Sequence, residues 1–206
     1  MFCMSQDSLP AANDKAKKRT RQKKAPKKIT ETYLHNAGLY YLQRFSSSSG
    51  NFREVMLRKI KKSCMAHPDQ NLEDCTSLLD KLIETFINAG LLDDETYTKS
   101  MVNSLRRRGK STRAIHAHLR SKKLGHDIIE KSLNERDNEQ HENSAEAEYQ
   151  AAVTFARKKR IGPFGAAQNT DDETARKQLA RLARAGFSYD TARRVLNINN
   201  DELEDC

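Results

Sequence analysis

The chain has 206 residues, of which 36% are hydrophobic and 32% charged, with no tryptophan and a net charge of +9. So lean an apolar complement excludes one large core and favours a string of small units, each with a thin core of Leu, Ile, Val and Ala. No apolar run approaches the roughly 20 residues of a membrane span, Met1–Leu9 is too polar for a signal peptide, and Cys3, Cys64, Cys75 and Cys206 do not form a disulfide framework. A soluble protein of the reducing cytoplasm is therefore expected.

Residues 1–28 hold nine Lys/Arg against two Asp and show no periodicity, which predicts a disordered basic arm. From Ile29 the pattern turns helical. Ile29, Tyr33, Ala37, Tyr40, Tyr41 and Phe45 are expected inward, with Thr30 as N-cap. Ser46–Gly50 should break this helix. Asn51 should cap the next, with Phe52, Val55, Met56 and Ile60 inward. Pro68 marks a loop at His67–Asn71. A third helix is expected from about Glu73 to Ala89, with Leu78, Leu79, Leu82, Phe86 and Ile87 inward and Gly90 closing it.

A second unit follows at once. Asp93 or Asp94 caps a helix with Tyr97, Met101, Val102 and Leu105 inward, and Gly109 ends it. Ser111 caps the next helix, with Ile115 and Leu119 inward. Leu124 plugs the following turn, and Ile128, Ile129 and Leu133 face in from the last helix. Asn134–Glu148 is polar and acidic and is expected to act as a connector, helical in part. The third unit has Tyr149, Val153 and Phe155 or Ala156 as its first apolar set, a loop at Gly162–Asn169, then Leu179 and Leu182. Gly186 ends that helix, Phe187 is the plug, and Ser188 caps a final helix with Ala192, Val195 and Leu196 inward.

The repeat is measurable. Leu119 to Leu133 and Leu182 to Leu196 are both fourteen residues, and in that register Leu124 falls on Phe187 and Ile129 on Ala192. No segment alternates as a strand does. The fold class expected is all-α, an elongated array of three tandem three-helix repeat units. Its divisions are the arm 1–28, units 29–90, 91–136 and 137–198, and an acidic frayed tail 199–206.

Catalytic and metal motifs are weak. Gly109-Lys110-Ser111 imitates the end of a phosphate-binding loop, but Ser104 stands where that loop needs its first glycine, and a helix leads in. Cys64, His67 and Cys75 supply three zinc-type ligands where a structural site wants four. Arg113 and His118 loosely resemble the R-x₄-H signature of HEPN-type ribonucleases. A five-residue step is about 500° of helix rotation, so the two only roughly share a face. No enzyme, metal or cofactor is expected.

The chemical signal is basic charge. Between Leu105 and Lys123 the chain carries Arg106, Arg107, Arg108, Lys110, Arg113, Arg120, Lys122 and Lys123 and no acid. Arg157, Lys158, Lys159 and Arg160 follow in the third unit, with Arg181 and Arg184 beyond. These fourteen are the candidate contacts. Basic helices recurring in successive units suit a track along a polyanion or an acidic protein surface. The few aromatics sit mostly at inward positions, which argues against single-strand stacking.

At this point the chain resembles the RecX family of regulatory proteins. Gly90-Leu91-Leu92-Asp93-Asp94 with Tyr97 is similar to the family's junction between its first two units. Arg107-Arg108-Gly109-Lys110-Ser111 with Ile115, Leu119-Arg120 and Lys122-Lys123 matches its central stretch, and Arg184-Ala185-Gly186-Phe187-Ser188-Tyr189 with Arg193 and Leu196 looks like its closing motif. Tyr41-Leu42 with Arg44-Phe45 resembles the entry to an extended first unit. The resemblance spans about residues 31–197. It departs at His118, where an acid is common, and at Lys123-Leu124, where Lys-Gly-Val is usual. It implies a non-enzymatic monomer that binds the RecA recombinase filament, inhibits its ATP hydrolysis and strand exchange, and in some cases contacts DNA. The competing expectation is a general DNA-binding helical protein that acts without RecA.

Overall fold

The computed structural model describes residues 25–165 and 172–198. Residues 1–24 of the basic arm, the middle of the loop after Phe164 and the acidic tail from 199 lie outside the described residues. The described residues form α-helices α1 (Glu31–Leu42), α2 (Ser49–Ala66), α3 (Leu72–Asn88), α4 (Asp94–Arg107), α5 (Thr112–Ser121), α6 (His126–Gln140), α7 (Ser144–Lys159), α8 (Asp172–Arg184) and α9 (Tyr189–Leu196), with a 3₁₀ turn at Gly162–Phe164. The class is all-α.

Three hydrophobic cores follow one another along the chain. The first joins α1–α3 around Leu34, Phe52, Met56, Leu79 and Phe86. The second joins α4–α6 around Val102, Ile115, Leu119, Ile129 and Leu133. The third joins α7–α9 around Val153, Ile161, Leu182, Phe187 and Val195. Leu124 and Phe187 are both buried as turn plugs.

The helix boundaries have local causes. Thr30, Asp93, Ser111 and Ser188 each accept an amide hydrogen bond at the start of the following helix, which satisfies one of the orphan donors there. Gly90, Gly109 and Gly186 close α3, α4 and α8 at positive φ, as left-handed C-caps do.

Four expectations are corrected. Ser48, not Asn51, caps α2, and Ser49 and Gly50 lie inside that helix. Tyr40 on α1 and Phe45, three residues beyond its end, are exposed, while Leu34 and Gly38 are buried. A Cβ on Gly38 would meet the Phe86 and Phe52 rings at 2.9 and 3.0 Å, so the centre of the buried stripe is a residue with no side chain. Ile87 of α3 also lies exposed. Finally, α6 runs to Gln140, so the division at 136 falls inside a helix; the connector, expected to be helical in part, is helical at both ends.

Residues 25–28, counted with the arm, are tied down. Ser63 Oγ donates to the Lys27 carbonyl at 2.8 Å, the His67 ring bonds the Pro26 carbonyl at 2.8 Å, and Lys28 pairs with Asp69 at 2.6 Å. His67 is thus engaged by the chain's own backbone. Cys75 is buried, and burial followed by the neighbouring Cys64 thiol pushes its pKa up.

The units are joined by a repeated device. Ser48 caps α2 and donates its hydroxyl to the Lys122 carbonyl at the end of α5. Ser111 caps α5 and donates to the Ala185 carbonyl at the end of α8, at 2.7 Å. Both bonds span 74 residues. Each cap hydroxyl therefore satisfies a donor of its own helix and an acceptor of the next unit. At the second junction Gly109 lies so close to α7 that a Cβ would stand 2.7 Å from the Phe155 amide nitrogen and 2.9 Å from the Ala151 carbonyl oxygen.

Candidate partner-binding surface

The basic residues after Leu105 divide by burial. Arg106 is 4% exposed. Its guanidinium reaches Asp137 and Glu148 at 2.6 Å each and donates to Thr112 Oγ1 at 2.8 Å and the Lys110 carbonyl at 3.3 Å. Glu148 also accepts from the Thr112 amide at 2.9 Å and the Thr112 hydroxyl at 2.7 Å, at the start of α5. Arg136 pairs with the other oxygen of Asp137 at 3.1 Å. This network ties α4, α5 and α6 of the second unit to α7 of the third. Arg106 is therefore removed from the contact candidates: a buried charge needs its counter-charges, and here it has them.

Asp137 and Glu148 are the residues that sequence reasoning missed. They belong to a stretch expected to be a polar, acidic connector. The available signal was periodicity, since Val102–Arg106 and Ile129–Leu133–Asp137 are one-turn steps down buried stripes. Opposite charges completing two apolar stripes are candidates for a buried pair.

The remaining cations face solvent. Arg107, Arg108, Lys110, Arg113 and Arg120 are exposed and Lys122 is half-buried; among the described residues none of the six forms an ion pair. Arg108, Lys110 and Lys122 act together on His118. Burial first, and then these three charges, hold the His118 imidazole below the usual histidine range. Its Nε2 is buried without a hydrogen-bond partner. A ring held below that range adds no charge to the cluster at neutral pH.

The third unit extends this face. Lys158 Nζ donates to the Arg107 carbonyl at 3.0 Å, so the cluster Arg157, Lys158, Lys159 and Arg160 at the end of α7 adjoins the end of α4. Arg157 lies over the Phe164 ring, 5.3 Å from its centroid. The turn carrying Gly186 packs on the start of α5, where a Cβ at Gly186 would be 3.3 Å from the Arg113 Cβ. Arg184, two residues earlier, is exposed beside that junction, and Arg181 is exposed one turn back. Lys123 sits apart, at the junction with the first unit, with Glu54 at 3.7 Å. The arrangement is a band of cations crossing from the second unit to the third. It can bind phosphates or carboxylates.

Residues 93–133 match the family model for the second three-helix domain of RecX. Over 183 residues the chain is 36% identical to the regulatory protein RecX of Myxococcus xanthus, covering 89% of this chain and 94% of that one. The chain belongs to the RecX family. It is also 26% identical to the RecX regulatory protein of Agrobacterium fabrum over 84% of this chain and 87% of that one. Two crystal structures share the fold. One, titled a regulatory protein RecX, superposes with a TM-score of 0.57 at 18% identity over 82% of this chain and 72% of its own. The other, RecX from Lactobacillus salivarius, gives 0.57 at 20% identity over 85% of this chain and 97% of its own. The family thus supplies regulatory relatives along nearly the whole length. Among the described residues no helix is long and apolar enough to cross a membrane.

Proposed function

We propose that this chain is a non-enzymatic cytoplasmic regulator of homologous recombination that acts as a monomer on the RecA recombinase–DNA filament and inhibits its ATPase and strand exchange. The observation that carries the proposal is a band of exposed cations: Arg107, Arg108, Lys110, Arg113, Arg120 and Lys122 form no ion pair among the described residues, and Arg157–Arg160, Arg181 and Arg184 lie exposed across a bonded junction from them. A filament of repeating acidic surface and phosphate is the partner such a band fits. The regulatory name of the relatives supports the same reading.

The test is RecA ATP hydrolysis on single-stranded DNA with increasing amounts of the chain, paired with co-sedimentation of chain and filament. Falling hydrolysis with co-sedimentation is expected. Unchanged hydrolysis without co-sedimentation rejects the proposal. Tight binding to naked DNA without RecA, with log K falling about 0.9 per phosphate contact per log unit of salt, would instead identify a general DNA-binding protein.

A further inference from the structure

We propose that His116, His126 and Glu130 bind one divalent transition-metal ion of the zinc class, clipping α5 to α6 in the central unit. His126 and Glu130 lie one turn apart on α6, and His116 reaches them from α5. His116 Nε2 is 2.7 Å from Glu130 Oε1, and His126 Nδ1 is 4.0 Å from the same oxygen. All three ligand atoms lie within 4.8 Å of one another. The two imidazoles meet edge to face, with centroids 5.3 Å apart.

Around a tetrahedral zinc ion with bonds of ~2.0–2.1 Å, ligand atoms stand about 3.3 Å apart. The two donor separations that involve Glu130 differ from this by less than about 1 Å, and that between the two imidazoles by no more than about 1.5 Å. The side chain that must move furthest is free to do so: His126 is 69% exposed, whereas His116 is 19% exposed and held in place. A His116–Glu130 hydrogen bond alone would join the helices. The second imidazole is what turns the pair into a ligand set. Two ring nitrogens and one carboxylate suit Zn²⁺, Ni²⁺ or Cu²⁺, not Mg²⁺ or Ca²⁺, which prefer all-oxygen sites. Three protein ligands leave a fourth coordination position for water. The ligands come from two helices, and only the packing of α5 on α6 brings His116 beside that turn.

The experiment is calorimetric titration of Zn²⁺ into the full chain, with Mg²⁺ as comparison and thermal melting in parallel. One Zn²⁺ per chain and a rise in melting temperature are expected. Loss of an outer-sphere partner alone typically weakens a metal site about 10–100-fold, so His116→Gln, His126→Ala and Glu130→Gln should each cost at least that. Cys64→Ser should leave the affinity unchanged. His126 is exposed, so H126A removes a ligand without endangering the fold. Zn²⁺ affinity unchanged from that of the unsubstituted chain in the three ligand variants overturns the proposal, as does Mg²⁺ binding as tight as Zn²⁺, or no binding.

Discussion

Arg106 and its immediate neighbours separate sharply in role although they are identical in type. Arg106 is enclosed by Asp137, Glu148 and Thr112, while Arg107 and Arg108 point to solvent. Removing one partner of a buried pair strands the other charge, at a cost of about 3–5 kcal/mol. Arg106→Ala should therefore lower the denaturant midpoint severely, whereas Arg108→Ala should change stability by no more than about 0.5 kcal/mol. Chemical denaturation of both variants checks this, and equal stability would show that the network contributes nothing. His118 adds a pH dependence. Its folded pKa lies below its unfolded one, so as pH falls through the ordinary histidine range the unfolded chain gains a proton that the folded chain resists. Stability present above that range is lost below it. His118→Gln should flatten the decline in melting temperature between about pH 7 and pH 5.

At the scale of the element, the junctions explain an odd residue. Lys123 occupies the left-handed position that Gly186 occupies in the next repeat, with φ of 62° against 98°. That conformation costs a non-glycine residue about 1 kcal/mol or more. The neighbour compensates in shape: a Cβ at Gly50 would stand 2.5 Å from the Lys123 Cβ, whereas Gly186 packs beside Arg113. Small and large residues have exchanged sides of the same contact. Gly50→Ala, ordinarily worth up to about 1 kcal/mol of gain inside a helix, should destabilise here. The double variant Gly50→Ala with Lys123→Gly should recover most of the loss. Coupling within the usual scatter of independent sites, about 0.5 kcal/mol, would refute the reciprocal fit.

At the scale of the molecule, the proposed contact and the stabilising network use different residues of one basic stretch. Reversing Arg107, Arg108, Lys110 and Arg113 to Glu should weaken filament capture strongly and leave the melting temperature nearly unchanged, because exposed charges contribute little to folding. Co-sedimentation and thermal melting on one preparation separate the two effects. Unaltered capture would move the contact to another face. Adding Arg106 to the set should collapse the fold and make the result uninterpretable. The three cores are separate but not independent, since the Ser48 and Ser111 hydroxyls and the Arg106 network cross the junctions.

By itself the sequence determined the helices, four of their caps and the two plugs, because glycine at positive φ, serine or aspartate before a helix and apolar spacing act within a few residues. Thr30, Asp93, Ser111, Ser188, Leu124 and Phe187 were all legible for that reason. It also carried the family motifs and the density of positive charge. Only the tertiary structure decided which cations are available and which are consumed. Asp137 and Glu148 lie 31 and 42 residues from Arg106, and charge composition along the chain does not say which charges meet. The same holds for Gly38, whose burial is set by two rings from other helices, and for His116, His126 and Glu130 across α5 and α6. Local rules place a residue on an element; long-range packing assigns its neighbours, and with them its energy and its use.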